Sequence, residues 1–206
     1  MPSPPPVAGV VLCGGKSSRM GTSKALLPFG PELMLQRVVR LLGEVTGPIV
    51  VVAAPAQELP PLAAEVRVVR DRREGRGPLE GLAAGLAALD GDETIAYVTS
   101  CDVPLLQPAF VRRMIALLGE HDIAVPHVEG YHHPLAAVYR PAVLPHVERL
   151  LDADRLRPRF LFDEVHTREV PVDDLRTVDP HLATLENLNH EPDYHRALAA
   201  AGFGDY

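Results

Sequence analysis

The chain has 206 residues, 47% of them hydrophobic and 23% charged, which is enough for one core and too little for two full domains. Its formal net charge of -7 excludes a broad nucleic-acid surface, because phosphate backbones are held by basic patches and here the basic residues are mixed with acidic ones. Cys13 and Cys101 lie far apart with no metal-like spacing, a pattern suited to a reducing cytoplasm, and the apolar run from Val7 to Cys13 is far shorter than the roughly 20 residues of a membrane span. The proline-rich residues 1–6 carry no basic start of an export signal and are expected to form a mobile tail, with 7–206 as one domain.

Val7 to Cys13 is a continuous apolar run ended by glycine, the mark of a central strand buried on both faces. Leu33 to Leu42 spaces Leu35, Val38, Val39 and Leu42 as a helix does, and Gly43 can close it. Pro48 to Ala54 and Val66 to Val69 predict a second and a third strand, the latter ending at Asp71. Pro78 suits the first turn of a helix running to about Leu89, and Thr94 to Thr99 is a fourth strand that stops at Cys101-Asp102-Val103-Pro104. Beyond it, a helix is expected over Pro108 to Gly119, a short strand over Ile123 to Pro126, and a turn feeding a strand over Gly130 to Tyr139. Short helices follow at Pro141 to Leu151 and Arg157 to Glu164, then a strand from Val165 to Val172 and a closing helix from Pro192 to Ala201.

Strands alternating with helices at short spacing force right-handed crossovers, so the expected class is α/β, a three-layer sandwich around a mostly parallel, Rossmann-like sheet. In such sheets ligands bind beyond the carboxyl ends of the strands, and the loop after strand one, Asp71 and Asp102 all fall at such ends.

The loop Cys13-Gly14-Gly15-Lys16-Ser17-Ser18-Arg19-Met20-Gly21-Thr22-Ser23-Lys24 has the make-up of a phosphate cradle. Its glycines allow backbone N–H groups to approach an anion, and Arg19 and Lys24 supply positive charge. It is not an NTPase P-loop, since Val10 stands where that pattern needs its first glycine. It is not a dinucleotide fingerprint, since the alternating glycines are missing.

Five motifs together resemble the molybdenum cofactor guanylyltransferases, nucleotidyltransferases with a glycosyltransferase-A-like fold. They are Leu12-Cys13-Gly14-Gly15 through Arg19-Met20-Gly21 and Lys24, Gly77-Pro78-Leu79-Glu80-Gly81, Cys101-Asp102-Val103-Pro104, His133-Pro134-Leu135, and Asn187-Leu188-Asn189 ahead of Pro192-Asp193. The resemblance implies an enzyme that transfers GMP from magnesium-GTP to the terminal phosphate of molybdopterin, with pyrophosphate leaving. Positioning and charge neutralisation would then do most of the catalysis. It implies nucleotide contacts from Leu12, Cys13, Gly14, Gly15, Lys24, Asp71, Gly77, Pro78 and Asp102, with Asp71 on the ribose or base side. Asp102 and Asn189 would be Mg2+ ligands, Lys24 and Arg19 would act on the phosphates, and His133 and Pro134 would line the acceptor side.

Each assignment has a plainer alternative: a turn or cap for Asp102 and Asn189, a surface ion pair with Arg70, Arg72 or Arg73 for Asp71, a helix start for Gly77-Pro78. Glycine at position 14 favours guanylyl over cytidylyl transfer, because cytidylyl relatives more often carry alanine there. Two departures stand out. Ser23 replaces the aspartate usual before the lysine, and Ala53 replaces an asparagine after strand two. Cytidylyl transfer, transfer to a sugar or other small phosphate, and a nucleotide-binding module without turnover remain alternatives, and a protein that delivers the pterin is left open. His127, His132 and His133 are not read as a metal site, since no carboxylate or cysteine nearby completes a ligand set. Cys13 and Cys101 are expected to lie close together as buried, reduced thiols.

Overall fold

The computed structural model describes residues 6–14, 23–73, 75–89 and 95–204. Its centre is a sheet built from β1 (Val7–Leu12), β4 (Ile49–Ala53), β5 (Arg67–Arg70), β6 (Ile95–Ser100), β7 (Ile123–Val128), β9 (Ala136–Tyr139) and β10 (Thr167–Pro171), in the order β10-β7-β9-β6-β1-β4-β5. The two-residue strand β8 (Tyr131–His132) pairs with β7, and β2 (Pro28–Phe29) and β3 (Glu32–Leu33) form a separate small hairpin. Pairing is parallel except at β9, which runs antiparallel to both β6 and β7, and at β8.

Side chains alternate between the two faces, as the two-residue period of a strand requires. Val11, Val51 and Tyr97 meet α1 (Met34–Gly43) and α3 (Pro108–Leu118) in one cluster. Val10, Val52 and Val98 meet α2 (Pro78–Ala87), α4 (Leu144–Asp152) and α5 (Arg159–Phe162) in the other. Both faces of β1, β4 and β6 are therefore covered, which explains their unbroken apolar runs. A third, smaller cluster joins Phe29 and Met34 to Leu188 and to Ala197 of α7 (Glu191–Ala200).

The expected three-layer α/β architecture is present. Two strand ends differ from expectation, and one small element was not expected. The strand expected to reach Val172 ends at Pro171, where α6 (Val172–Arg176) begins with Asp173 and Asp174 in its first turn, a placement that favours a helix start. The strand expected to end at Pro126 runs on to Val128. Pro126 sits between the residues paired with β9 and those paired with β8, where a missing N–H costs little. The β2–β3 hairpin was not expected, because its two-residue strands are too short for any period to register.

Candidate active site

β1, β6 and β7 all point the same way, so their carboxyl ends share one edge of the sheet. Asp102 lies two residues beyond β6 at that edge, its carboxylate oxygens differently held. Oδ1 accepts hydrogen bonds from Ser100 Oγ at 2.5 Å and Asn187 Nδ2 at 2.8 Å, while Oδ2 pairs with the Lys24 ammonium at 2.7 Å. Lys24 Nζ also donates to Asn189 Oδ1 at 3.1 Å. One positive charge thus sits between two oxygens that come from residues 87 positions apart in sequence (189 − 102).

The chain brings Asn189 there by two constraints. The Leu188 N–H donates to the Asp102 carbonyl at 3.0 Å, and the Leu188 side chain is buried in the third cluster. Beyond it, Asp193 accepts from the N–H groups of Asn189 and His190 and so caps the first turn of α7. Held by these bonds, the segment 187–189 presents the Asn187 amide to Asp102 and the Asn189 amide oxygen to Lys24.

Asp71 builds a second centre. It follows β5, and its N–H bonds to Ala53 O at 2.9 Å. A β-carbon added to Gly14 would lie 2.9 Å from its Oδ2, and one added to Gly81 would lie 3.6 Å from its Oδ1, so the carboxylate fills the space that two glycines leave. Oδ1 is buried with no hydrogen-bond partner among the described residues. Burial, with the nearby charge of Glu80 adding to it, raises the pKa of Asp71 to about 6. Among the described residues Asp71 forms no ion pair with Arg70, Arg72 or Arg73: Arg70 donates to the carbonyls of Ala54 and Gln57, and Arg72 lies 3.6 Å from Glu148. Gly77 occupies a positive-φ position (73°) that suits glycine, and Pro78 opens α2 beside it.

Residues 9–168 match the profile of the MobA-like NTP transferase domain. The chain belongs to this family. It is 36% identical over 200 residues to a probable molybdenum cofactor guanylyltransferase of Mycobacterium avium, covering 95% of this chain and 96% of the relative. A protein of the same description from Mycobacterium tuberculosis is 35% identical over 202 residues, covering 96% of each chain. Among solved structures, molybdopterin-guanine dinucleotide biosynthesis protein A of Archaeoglobus fulgidus superposes with a TM-score of 0.79 at 20% identity, over 95% of this chain and 98% of that one. The 2-C-methyl-D-erythritol 4-phosphate cytidylyltransferase of Thermus thermophilus gives 0.71 at 17% identity, over 96% and 99%. At such identities the structures speak for the fold alone.

Within this MobA-like chain, the motifs meet in two groups. Lys24, Asp102 and Asn189 are in direct contact; Gly14, Asp71 and Gly81 form the second group, with Leu12 packed against Gly81. Leu12 and Cys13 are buried, and the Cys13 N–H bonds to Val52 O at 2.7 Å. Gly15 and Arg19 lie outside the described residues. His133 is bonded through its N–H to Pro126 O, and burial together with the charge of His132 lowers its pKa. Pro134 O accepts from Tyr139 Oη at 2.8 Å. These bonds are local to β7–β9 and do not reach Asp102.

Ser100 and Asn187 hold the Asp102 carboxylate; nothing in the sequence pointed to Ser100, and Asn187 was named only as part of a motif, without a role. Each lies two residues from a residue the sequence did single out, Asp102 and Asn189 respectively, at the turn that ends β6 and in the segment that docks on it. Gln57 was missed too. Its amide accepts from Ala54 N–H and donates to Cys13 O at 3.0 Å and Ser23 Oγ at 3.3 Å, placing a polar group at the end of β4 where Ala53 has none. The expected thiol proximity is present: Cys13 and Cys101 are buried and free, and a hydrogen bond between them, ahead of burial, pushes the Cys13 thiol up.

Proposed function

We propose that this chain transfers GMP from magnesium-bound GTP to the terminal phosphate of molybdopterin, releasing pyrophosphate and forming a guanine dinucleotide cofactor. The observation that carries the reading is the convergence of Asp102 Oδ2 and Asn189 Oδ1 on one cationic nitrogen at the carboxyl edge of the sheet. The relatives described as probable molybdenum cofactor guanylyltransferases support guanylyl transfer to this cofactor, and the site chemistry agrees with it.

Two oxygen donors around one positive charge suit a hard divalent ion, which takes oxygen ligands and needs only one or two from the protein when phosphates supply others. Mg2+, held by Asp102 and Asn189, would offset charge on the triphosphate oxygens. Ser100 and Asn187 fix the carboxylate by occupying Oδ1, which leaves Oδ2 directed at the cation. Lys24 would neutralise phosphate oxygens of the nucleotide beside Asp102, and Arg19 would join it as a second positive group on the leaving pyrophosphate. An oxygen of the acceptor phosphate attacks the α-phosphorus, the bond from that phosphorus to the bridging oxygen breaks, and the electron pair leaves on pyrophosphate. The acceptor oxygen is already anionic, so no general base is required.

Asp71 serves the nucleoside. Its buried, unpartnered oxygen is an acceptor, and guanine offers two adjacent donors, N1–H and the 2-amino group, on one edge. Gly14 and Gly81 keep that carboxylate in place, while Gly77 and Pro78 begin the helix beside it. His133 and Pro134 line the acceptor side, and we place the reaction in the cytoplasm, where the paired thiols of Cys13 and Cys101 persist reduced.

The test is pyrophosphate release from each nucleoside triphosphate with Mg2+ and molybdopterin, in the parent chain and in Asp102→Asn. GTP should be the preferred donor. The variant should fold and retain GTP binding but lose turnover by about a hundredfold or more, the range for removing one electrostatic stabiliser of a transition state. Turnover with CTP alone would overturn the base assignment, and unchanged turnover in Asp102→Asn would remove that residue from the mechanism.

A further inference from the structure

A second group of metal-ligating side chains lies on the sheet two strands away from β6. His127 on β7 and His132 on β8 are direct cross-strand partners, so their side chains emerge on the same face, and their rings stack with centroids 4.9 Å apart. On the other side of β7, Glu169 of β10 is in register with Val125. Val125 and His127 share a face, and the glutamate therefore reaches the same side. Glu169 Oε1 lies 2.8 Å from His132 Nε2, and Oε2 lies 3.5 Å from His127 Nδ1. The donor atoms all fall within 4.8 Å of one another. Three strands that the backbone ladder already fixes thus supply two imidazole nitrogens and one carboxylate. The reading that no carboxylate completes a set around these histidines is corrected by Glu169, which is distant in sequence and brought alongside only by the parallel pairing of β10 with β7.

We propose that His127, His132 and Glu169 bind a divalent transition-metal cation, with Zn2+ the best match, at a site separate from Asp102. Zinc takes tetrahedral sites with bonds of about 2.0–2.2 Å to histidine nitrogen and carboxylate oxygen, which puts neighbouring donors about 3.3 Å apart. The carboxylate meets one histidine through each oxygen, at 2.8 and 3.5 Å, and all the donor atoms fall within 4.8 Å. Side-chain rotation therefore has to bring one oxygen and both nitrogens to the tetrahedral spacing when the ion binds. Two imidazoles select against magnesium, which keeps to oxygen ligands, and favour zinc, cobalt or nickel. The chain would carry two cation sites of different hardness, one of oxygen donors and one of mixed nitrogen and oxygen.

Three protein ligands leave one position of a tetrahedron open, and the partial exposure of the group keeps it accessible to water or an anionic ligand: the side chains are 36%, 24% and 54% exposed for His127, His132 and Glu169. The bound ion would also act as a cross-link. β8 holds to the sheet through two residues paired with β7, and the turn before it places Glu129 and Gly130 at positive φ. A cation shared by β7, β8 and β10 ties this weak hairpin to the sheet immediately before His133 and Pro134.

The experiment uses untagged, chelator-stripped full-length chain titrated with Zn2+ by calorimetry and with Co2+ by visible absorption. One Zn2+ per chain should bind the parent and Asp102→Asn alike, with Co2+ giving the d–d bands of a four-coordinate site. Binding and bands should vanish in His127→Gln/His132→Gln, and Glu169→Gln should weaken affinity by at least about tenfold, the lower end of what loss of even an outer-sphere partner costs. Zn2+ should raise the melting temperature of the parent and leave that of the double variant unchanged, while circular dichroism shows both folded. Absence of binding in the parent, equal binding in the double variant, or loss of binding in Asp102→Asn would each overturn the proposal.

Discussion

Asp71 is costly to the fold. Half-buried near Glu80, with one oxygen that has no hydrogen-bond partner among the described residues, its pKa rises from 3.8 to about 6. Between those values the folded chain holds a proton that the unfolded chain has lost, so this group's contribution to stability declines as pH rises from about 4 to about 6. Asp71→Asn should flatten that part of the stability–pH curve and stabilise the chain at pH 7 by about 1 kcal/mol, a figure reduced for the solvent that reaches half of the carboxyl. Chemical denaturation at several pH values measures it, and a slope unchanged by the substitution would contradict it. The same variant should raise the KM for GTP. In the parent, GTP affinity should fall as pH drops below about 6, because the protonated acid is a poorer acceptor. Gly14→Ala tests the same corner from the other side. Its methyl group would approach Asp71 Oδ2 to 2.9 Å and push the carboxylate aside, so the KM for GTP should rise several-fold while the circular dichroism spectrum stays unchanged. An unaltered KM would separate Gly14 from nucleotide selection.

Helix α2 owes its position to a glycine that does no chemistry. A β-carbon at Gly85 would sit 2.5 Å from Val10 Cγ1 and 3.3 Å from Val52 Cγ2, so the helix backbone rests directly on β1 and β4. Its start is tied to α4 by Arg76, which donates to Leu151 O and pairs with Asp154 at 2.8 Å. Because α2 also carries Gly81 against Leu12 and Asp71, its distance from the sheet sets the width of the corner proposed for the nucleoside. Gly85→Ala should destabilise the chain by about 1–3 kcal/mol, the usual cost of overpacking. It should also raise the KM for GTP more than it lowers kcat, since Asp102 and Asn189 stand on other elements. A melting temperature equal to the parent's would show that the helix can shift without cost.

Across the whole molecule, the proposed cation site is closed by the far end of the chain. Segment 187–189 returns to β6 only after α3 to α6 and β7 to β10 have been laid down, and the bond from Leu188 N–H to Asp102 O is where it docks. A ligand that bridges Asp102, Asn189 and Asp71 should therefore stabilise the entire fold. Magnesium and GTP together, at about 100 times Kd, should add about 2.7 kcal/mol to unfolding, and either alone should add less. Thermal melts with GTP, Mg2+, both and neither measure this. Equal shifts with and without Mg2+ would speak against a shared site.

The succession along the chain of the main strands and helices, the composition of the glycine loop and the two aspartates at strand ends were readable directly from residues 7–104, the small hairpin at 28–33 excepted. The reason is that the central strands, buried on both faces, write continuous apolar runs and their ends are marked by glycine or Asp-Val-Pro. The motifs also carried the family. The sequence could not say what each carboxylate faces. Asp102 takes its role from Lys24, Asn187 and Asn189, Asp71 from the gaps at Gly14 and Gly81, and Glu169 from the parallel pairing that sets it beside His127 and His132. Periodicity reports which side of its own element a residue occupies. Which distant residue it meets there depends on strand order and register, and these are decided only when the whole sheet packs.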